Sequence, residues 1–508
     1  MQTPPHGSHT VSTADFGRMR MLDELAAASH SNADLAALAM AMIGSSGDVP
    51  KDGPDDEENP FTPAGYTYLG QFVDHDLTFD THSNFDDPTS FGRASNMRTP
   101  RFDLDNVYGR GPDDQPYLYN DPFDGTLLLG DKLANGVKDV PRNKQGRAII
   151  GDPRNDENSI VVQLQSAFIR FHNKLVGRAK ALGHDTKDAF SWAQTQTRKH
   201  YQRILLDDFL PRIIDPTAST VQHIIADLGK GKRPILRLYD LARPPYMPVE
   251  FSVAAYRFGH SMIRPGYRLS AAAGDVPLSQ ADDVRLFAIF HGASGGLRGF
   301  QKLDRGRGID WSLFFSKSLV AGSLADNADG SANNSKGVKR LQLGYKIDTS
   351  VVSPIGSLPP KIASDPSSLA ERNLKRGRDF GLPSGQAVAD RIGATKLTDS
   401  QITVRGANGP RQAITSISAH FTNNTPLWLY ILAEAEQALL TAGPGQSLAT
   451  MGTRLGEVGG AIVLETFVGI MLNDPESVLN SQTGWRSINN KPTFSMAELF
   501  AEIGTPLS

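Results

Sequence analysis

The sequence predicts a mainly α-helical fold, built as one large domain with few short strands. Apolar residues recur at helical spacing through most of the chain, most clearly over about 158–182, from Ile160 to Val176. Strand signals are few and short, as in 233–239 and 402–406. Segments rich in glycine and asparagine are typical of surface loops rather than of domain linkers.

The helices are predicted in order along the chain. The first carries the apolar stripe that begins at Leu35, with Asn32 as its N-cap. The second runs through TYLGQFVDHDL, residues 67–77. Further helices are expected near 187–207, 218–228, 250–263, 281–291, 385–393, 425–441 and 455–474. We expect an N-terminal extension with helix and loop over 1–60, followed by the large domain over 61–508.

The composition excludes several functional classes. With 508 residues, of which 39% are hydrophobic, the chain can bury a large core. The formal net charge of −3 gives no indication of a nucleic-acid partner. The chain has no cysteine, which excludes disulfides, thiolate metal sites and iron–sulfur clusters.

The sequence predicts neither a secretory signal peptide nor a membrane span. The first twenty residues have no apolar centre, so no secretory signal peptide is predicted. The longest apolar stretch, 458–472, is shorter than a membrane span and contains Glu465, which predicts a buried core helix and no membrane span. The location stays open between the cytoplasm and non-classical secretion.

A polar cluster lies on the second helix. Gln71, Asp74 and His75 are spaced so that a helix places an amide, a carboxylate and an imidazole on one face. A solvated helix face is the simpler interpretation. The flanking apolar residues favour a buried setting instead, in which such a cluster needs partners or a cofactor.

Two further segments carry isolated polar residues. Arg154 and Glu157 precede the long helix at about 158, and alone they would be read as surface charges. His260 lies in the apolar segment FSVAAYRFGHSMIRP, and a single histidine there is commonly a satisfied core residue. The adjacent Gly259 would let a flat group approach closely.

The order of these motifs resembles the animal-type heme peroxidases of the peroxidase–cyclooxygenase superfamily, including their bacterial members. The resemblance covers roughly residues 60 to 480 and rests on GQFVDHD, GDPRNDEN, AYRFGH and ERNLKRGRDFGLP. It implies heme b as cofactor, with hydrogen peroxide and a small reducing substrate as partners. The implied reaction reduces peroxide and oxidises halide, thiocyanate or phenols through an oxoferryl intermediate.

The resemblance also implies a role for each matched residue. The distal catalytic group comprises His75 as acid and base, Arg154 as the charge-stabilising cation and Gln71 as their neighbour. The heme contacts are His260 as the proximal iron ligand, Arg257 at a propionate, and Asp74 and Glu157 as carboxylates that can be esterified to heme methyl groups.

Two positions depart from the family pattern. The stretch from Asn373 to Pro383 matches, and the family places an asparagine shortly after it that bonds the proximal histidine; here Gln386 occupies that place. Asn158 stands where some members have a methionine bound to the heme, so no sulfonium link can form. We therefore expect bromide, iodide, thiocyanate or phenols as donors rather than chloride.

The segment TPRFDLDNVYG resembles the calcium loop of the family. Alternating positions of an extended segment point the same way and can supply several oxygens to a hard cation. The implied ligands are Asp76 from the second helix, the side chains of Thr99, Asp103 and Asp105, and the backbone carbonyl of Arg101. An acidic surface turn is the alternative interpretation.

Two other functions stay open. The superfamily includes fatty-acid dioxygenases, which place a tyrosine three residues before the proximal histidine; here Arg257 holds that position and Tyr256 lies one residue earlier. A heme-binding scaffold without catalysis is the second alternative, against which the complete set of polar residues argues.

Overall fold

The structure is a computed structural model of the 508-residue chain. The residues that it describes are 16–44, 57–80, 96–270, 286–288, 296–316, 341–360, 363, 365–405, 411–440, 454–481 and 484–507. The α-helices in these ranges are α1 (Asn32–Met42), α2 (Gly65–Leu77), α3 (Asp105–Tyr108), α4 (Val161–Ala181), α5 (Thr186–Ile204), α6 (Leu210–Ile213), α7 (Gln222–Gly229), α8 (Ser353–Gly356), α9 (Leu369–Asp379), α10 (Gly385–Ile392), α11 (Ile414–Ile417), α12 (Leu427–Leu440), α13 (Glu457–Asn473) and α14 (Met496–Glu502).

The strands are short and pair only in twos within the described residues. They are β1 (Phe16–Gly17), β2 (Glu58–Pro63), β3 (Met247–Pro248), β4 (Gly266–Arg268), β5 (Leu286–Ala288), β6 (Leu343–Tyr345), β7 (Thr403–Val404) and β8 (Gln412–Ala413). The pairs are β1 with β3, β2 with β6, β4 with β5, and β7 with β8. The mainly α-helical prediction is therefore confirmed.

Most predicted helices are found, with small shifts at their ends. Ser31, not Asn32, is the N-cap of α1, because its side chain accepts from the backbone N–H of Asp34 while the Asp34 carboxylate accepts from the backbone N–H of Ser31. The long helix begins at Val161, and the Asn158 side chain accepts from its first backbone N–H groups. The sequence pattern missed α9, α14 and the four-residue helices α3, α6, α8 and α11.

Three predicted elements differ in kind. The helix near 250–263 is irregular: a π-helical turn, Glu250–Ala254, passes into a 3₁₀ turn, Ala255–His260. The predicted strand over 233–239 does not form, because backbone N–H groups there donate to the buried Glu465 carboxylate instead of to a neighbouring strand. The helix predicted over 281–291 is wrong at 286–288, because these residues form strand β5. The other residues of this predicted helix lie outside the described ranges.

The core is one continuous cluster of buried apolar residues, and it fixes the helices that surround the site. The rings of Phe72 on α2 and Phe168 on α4 stack at 5.0 Å, which holds the two helices against each other. The predicted core helix, α13, is buried along almost its whole length, Glu465 included. None of the helices among the described residues combines the length and the apolar character that crossing a membrane requires.

The N-terminal part of the chain packs against later elements. Helix α1 lies against α9, and β2 pairs with β6. The Arg18 side chain donates to the backbone carbonyls of Phe380 and Gly381, just after α9. The division into 1–60 and 61–508 stays a prediction.

Candidate functional site

Helix α2 presents one partly exposed stripe in an otherwise buried element. Thr67, Gly70, Gln71 and Asp74 are partly accessible, and they follow the spacing of one helix face. The remaining residues of the helix, His75 included, are buried. This stripe offers polar side chains to a ligand, and we call the space in front of it the recess.

His75 sits at the inner edge of this recess. Its Nδ1 atom lies 2.7 Å from the side-chain oxygen of Asn155. Burial, and secondarily the nearby Arg154 guanidinium, lowers the pKa of His75 to about 4. The imidazole is consequently neutral near pH 7 and able to accept a proton.

Arg154 is held rigidly beside His75. It lies in the 3₁₀ turn Pro153–Asp156, whose N-cap is Asp152. Its Nη2 atom donates to the Asp152 carboxylate at 2.7 Å and to the backbone oxygen of His75 at 3.0 Å. Burial alone would raise the pKa of Asp152, yet Arg154 and then Arg98 lower it to about 2. The third nitrogen of Arg154, Nη1, has no hydrogen-bond partner among the described residues and can meet developing negative charge.

Gln71 and Asn158 form a pair on the same side. Asn158 Oδ1 accepts from the backbone of α4, so its Nδ2 donates to Gln71 Oε1, at 3.2 Å. This arrangement leaves the NH₂ group of Gln71 as the donor available to the recess. Glu157 is solvent-accessible, but the protein around it raises its pKa to about 7 by desolvation, with Arg154 opposing that shift.

His260 is the last residue of the 3₁₀ turn Ala255–His260. Its Nδ1 atom lies 2.7 Å from the side-chain amide of Asn373, on α9. The prediction that Gln386 takes this position is wrong, because the Gln386 amide donates to Asp399 and Thr425 instead. Asn373 begins the stretch 373–383 that resembles the family, and it lies thirteen positions before Gln386.

The orientation of the Asn373 amide bears on metal binding. Asn373 Oδ1 accepts from Arg257 at 3.2 Å, so its NH₂ group faces His260. A metal on His260 Nε2 leaves the ring proton on Nδ1, and Asn373 must then turn its oxygen to the ring. Arg257 would then lose its hydrogen bond to the Asn373 oxygen and would donate to another acceptor.

The residues around His260 fit a heme. A Cβ atom built on Gly259 would meet nothing within 4 Å, so a flat group can lie close to the backbone there. Arg257 is half-buried, and desolvation and then the neighbouring Arg376 lower its pKa to about 10, although Asp74 opposes this shift. No carboxylate among the described residues lies within ion-pair distance of Arg257, and carboxylate groups such as the heme propionates suit this cationic pocket.

The two histidine-bearing elements are neighbours. Helix α2 contacts the 3₁₀ turn Ala255–His260, and a Cβ atom on Gly70 would lie 3.8 Å from the Tyr256 hydroxyl. The Asp74 carboxylate is close enough to both Glu157 and Arg257 to raise the pKa of each. The structure thus brings into contact two elements that lie almost two hundred positions apart in the sequence.

A second polar cluster lies behind α2. Carboxylate oxygens of Asp76, Asp103 and Asp105 approach one another within 4.8 Å. Neither oxygen of the fully buried Asp76 has a hydrogen-bond partner within the part of the chain that the structure describes, while Thr99 donates to Asp103 at 2.8 Å. Burial and the neighbouring carboxylates raise the pKa of Asp76. Such mutual repulsion is relieved by a hard cation with oxygen ligands.

The remaining predicted ligand is the backbone carbonyl of Arg101. The Arg101 guanidinium lies 3.8 Å from Asp474, and its backbone carbonyl stays a prediction as a ligand. Arg98 links this cluster to the first one, because it pairs with both Asp105 and Asp152. The acidic cluster is therefore linked to Arg154 through Arg98 and Asp152.

Comparison with known proteins supplies the family. A family model described as "Animal haem peroxidase" matches residues 84–424, more than half of the chain. The chain belongs to this family. Like other members it is an oxidoreductase, and the family implies a heme cofactor.

Relatives of known activity match part of the chain. Thyroid peroxidase of Sus scrofa is 29% identical over 303 residues, which are 58% of this chain and 28% of that protein. Thyroid peroxidase of Homo sapiens is 28% identical over 311 residues, 60% of this chain and 29% of that protein. The match spans less than a third of the length of these relatives.

Solved structures share the fold along most of the chain. Peroxidase A from Dictyostelium discoideum superposes with a TM-score of 0.60 at 16% identity, over 97% of this chain and 94% of that one. A fatty acid alpha-dioxygenase of Oryza sativa superposes with a TM-score of 0.58 at 14% identity, over 92% of this chain and 78% of that one. At such identities the likeness shows the fold alone, and it does not separate peroxidase from dioxygenase.

Proposed function

We propose that this protein is a heme peroxidase that reduces hydrogen peroxide and oxidises a small donor. The observation that carries the proposal is a neutral, buried His75 beside a clamped Arg154, facing the element that carries His260. When bound, heme supplies the two electrons that break the O–O bond and recovers them from the donor. His260 would hold the iron, and the side-chain oxygen of Asn373 would accept a hydrogen bond from the N–H of its other ring nitrogen.

The residues on the distal side account for the proton movements. His75 accepts a proton from one oxygen of hydrogen peroxide and returns it to the other oxygen, which leaves as water. Arg154 Nη1 stabilises the negative charge that develops during this separation. The NH₂ group of Gln71 can donate a hydrogen bond, which suits an anionic reducing substrate such as bromide, iodide or thiocyanate.

The proposal is tested by spectra of the heme-loaded protein before and after hydrogen peroxide, with iodide and a phenol as competing donors. We expect peroxide to change the Soret band and each donor to restore it. Oxygen uptake with a fatty acid, without donor oxidation, would instead establish the dioxygenase alternative. That alternative needs a tyrosine three residues before the proximal histidine; here Arg257 holds that position, and the ring of Tyr256 stacks on Phe251 at 4.6 Å.

Covalent attachment of the heme is a separate expectation. Asp74 and Glu157 would each replace one hydrogen of a heme methyl group with a carboxylate oxygen, a two-electron oxidation for which hydrogen peroxide is the oxidant. After peroxide treatment, acidified organic solvent should fail to extract heme from the wild type and should extract it from Asp74→Asn/Glu157→Gln. Glu502→Gln, at a surface ion pair with Lys174, is the control that should behave as wild type. Free extraction from the wild type would contradict the ester links and leave the peroxidase proposal standing.

The acidic cluster behind α2 is proposed to bind calcium. At about 100 times the Kd, calcium should stabilise the fold by about 2.7 kcal/mol, measured as a higher Tm. Asp76→Asn should abolish this stabilisation and raise the Tm in chelator, because it removes a buried carboxylate from two like charges. Asp113→Asn, on an exposed loop, should leave both values unchanged. A calcium-independent Tm in the wild type would refute the site.

A further inference from the structure

A chain of hydrogen bonds leads from His75 into the protein interior. His75 Nδ1 contacts Asn155 Oδ1 at 2.7 Å, and Asn155 Nδ2 donates to Gln165 Oε1 at 2.8 Å. Gln165 Nε2 in turn donates to the backbone carbonyl oxygen of Asn106 at 3.1 Å. The side chain of Asn106 donates to the backbone of Phe72, so the chain closes on the helix that carries His75.

The direction of every bond follows from the last acceptor. A backbone carbonyl can only accept, so Gln165 must present its NH₂ group to Asn106 and its oxygen to Asn155. Asn155 must therefore donate to Gln165 and turn its own oxygen toward His75. The side-chain amides of Asn155 and Gln165 are fully buried. If the Gln165 amide were reversed, its oxygen would face the carbonyl oxygen of Asn106 with no hydrogen between them, which is unfavourable in the interior. The hydrogen on the His75 ring is consequently fixed on Nδ1.

We propose that Asn155 and Gln165 are positioning residues that fix the tautomer of His75, so that the lone pair of Nε2 is always available to the proton of hydrogen peroxide. This inference rests on the peroxidase proposal. The proton taken by Nε2 passes to the second peroxide oxygen, which leaves as water, and the bound heme provides the two electrons. The other tautomer carries hydrogen on Nε2 and cannot accept this proton.

The tautomer can be observed directly by nuclear magnetic resonance. The heme-loaded protein with ¹⁵N-labelled histidine is reduced and bound to carbon monoxide, which makes it diamagnetic, and the His75 signals are assigned by their loss in His75→Gln. We expect a protonated Nδ1 and an unprotonated Nε2 in the wild type. A wild-type ring protonated on Nε2 would overturn the inference, whatever the variants do.

Three variants separate positioning from simple structural support. Gln165→Leu and Asn155→Leu remove the directional restraint, so both should show the Nε2-protonated tautomer. The matched control is Gln163→Leu, which removes another buried, hydrogen-bonded glutamine of α4 that has no contact with His75. Its tautomer should stay as in the wild type.

The same variants are compared in stopped-flow mixing with hydrogen peroxide. Gln165→Leu should react about 10- to 100-fold more slowly, which is less than the whole contribution of general base catalysis. Gln163→Leu should react within about twofold of the wild type. Wild-type tautomers in both Gln165→Leu and Asn155→Leu would overturn the inference. Failure of the peroxidase proposal is seen separately, as a wild type that has the expected tautomer and does not reduce peroxide.

Discussion

Replacing His260 with alanine is expected to abolish stable heme binding. The residue lies beside Gly259, which leaves room for a flat cofactor, and its Nδ1 atom is engaged by Asn373, so Nε2 is the nitrogen available to iron. The measurement is a heme titration followed at the Soret band, with circular dichroism to show that the helices persist.

A second variant distinguishes ligation from folding. In His260→Gly the side chain is removed entirely, and added imidazole should restore heme binding by supplying the missing nitrogen ligand. A normal Soret band in His260→Ala would remove the proximal assignment. So would an imidazole-insensitive His260→Gly that is fully folded.

Replacing His75 with alanine is expected to leave heme binding intact and to slow the reaction with peroxide by about 10²- to 10⁴-fold. His75 is the neutral imidazole of the distal side, and alanine cannot move a proton between the two peroxide oxygens. Stopped-flow mixing of the heme-loaded variant with hydrogen peroxide measures the effect.

The appropriate control is a histidine of similar burial away from the recess. His172, which is fully buried and bonded to Tyr108 and Gly125, serves as His172→Gln. His172→Gln should lower the stability of the fold and leave the rate of the reaction with peroxide unchanged. Equal reaction rates of wild type and His75→Ala would contradict the distal role.

The sequence predicted the helical fold because the apolar periodicity of helices such as α4 and α13 is strong. It did not predict the irregular backbone before His260, since a π turn followed by a 3₁₀ turn has no single periodicity. Nor did it identify Glu465 as an acceptor for distant backbone N–H groups, and a strand was predicted where those groups lie.

Within the site, the sequence identified residues that belong to recognisable motifs and missed the residues that hold them by hydrogen bonds. Asn155 was overlooked although it follows Arg154 directly, because only packing shows that its amide reaches His75, 80 positions away. Asn373 lies 113 positions from His260, and the motif containing it gave no sign of which member turns toward the histidine. Hydrogen-bond partners depend on tertiary geometry, which local spacing does not encode.

The central claim is that one heme lies between His75 and His260. Diffraction from crystals of the heme-loaded protein at the iron absorption edge tests it most directly. We predict one iron peak at coordination distance from His260 Nε2, with His75 on the opposite side and not bound. An iron peak at any other residue, or one ligated by His75, would contradict the account.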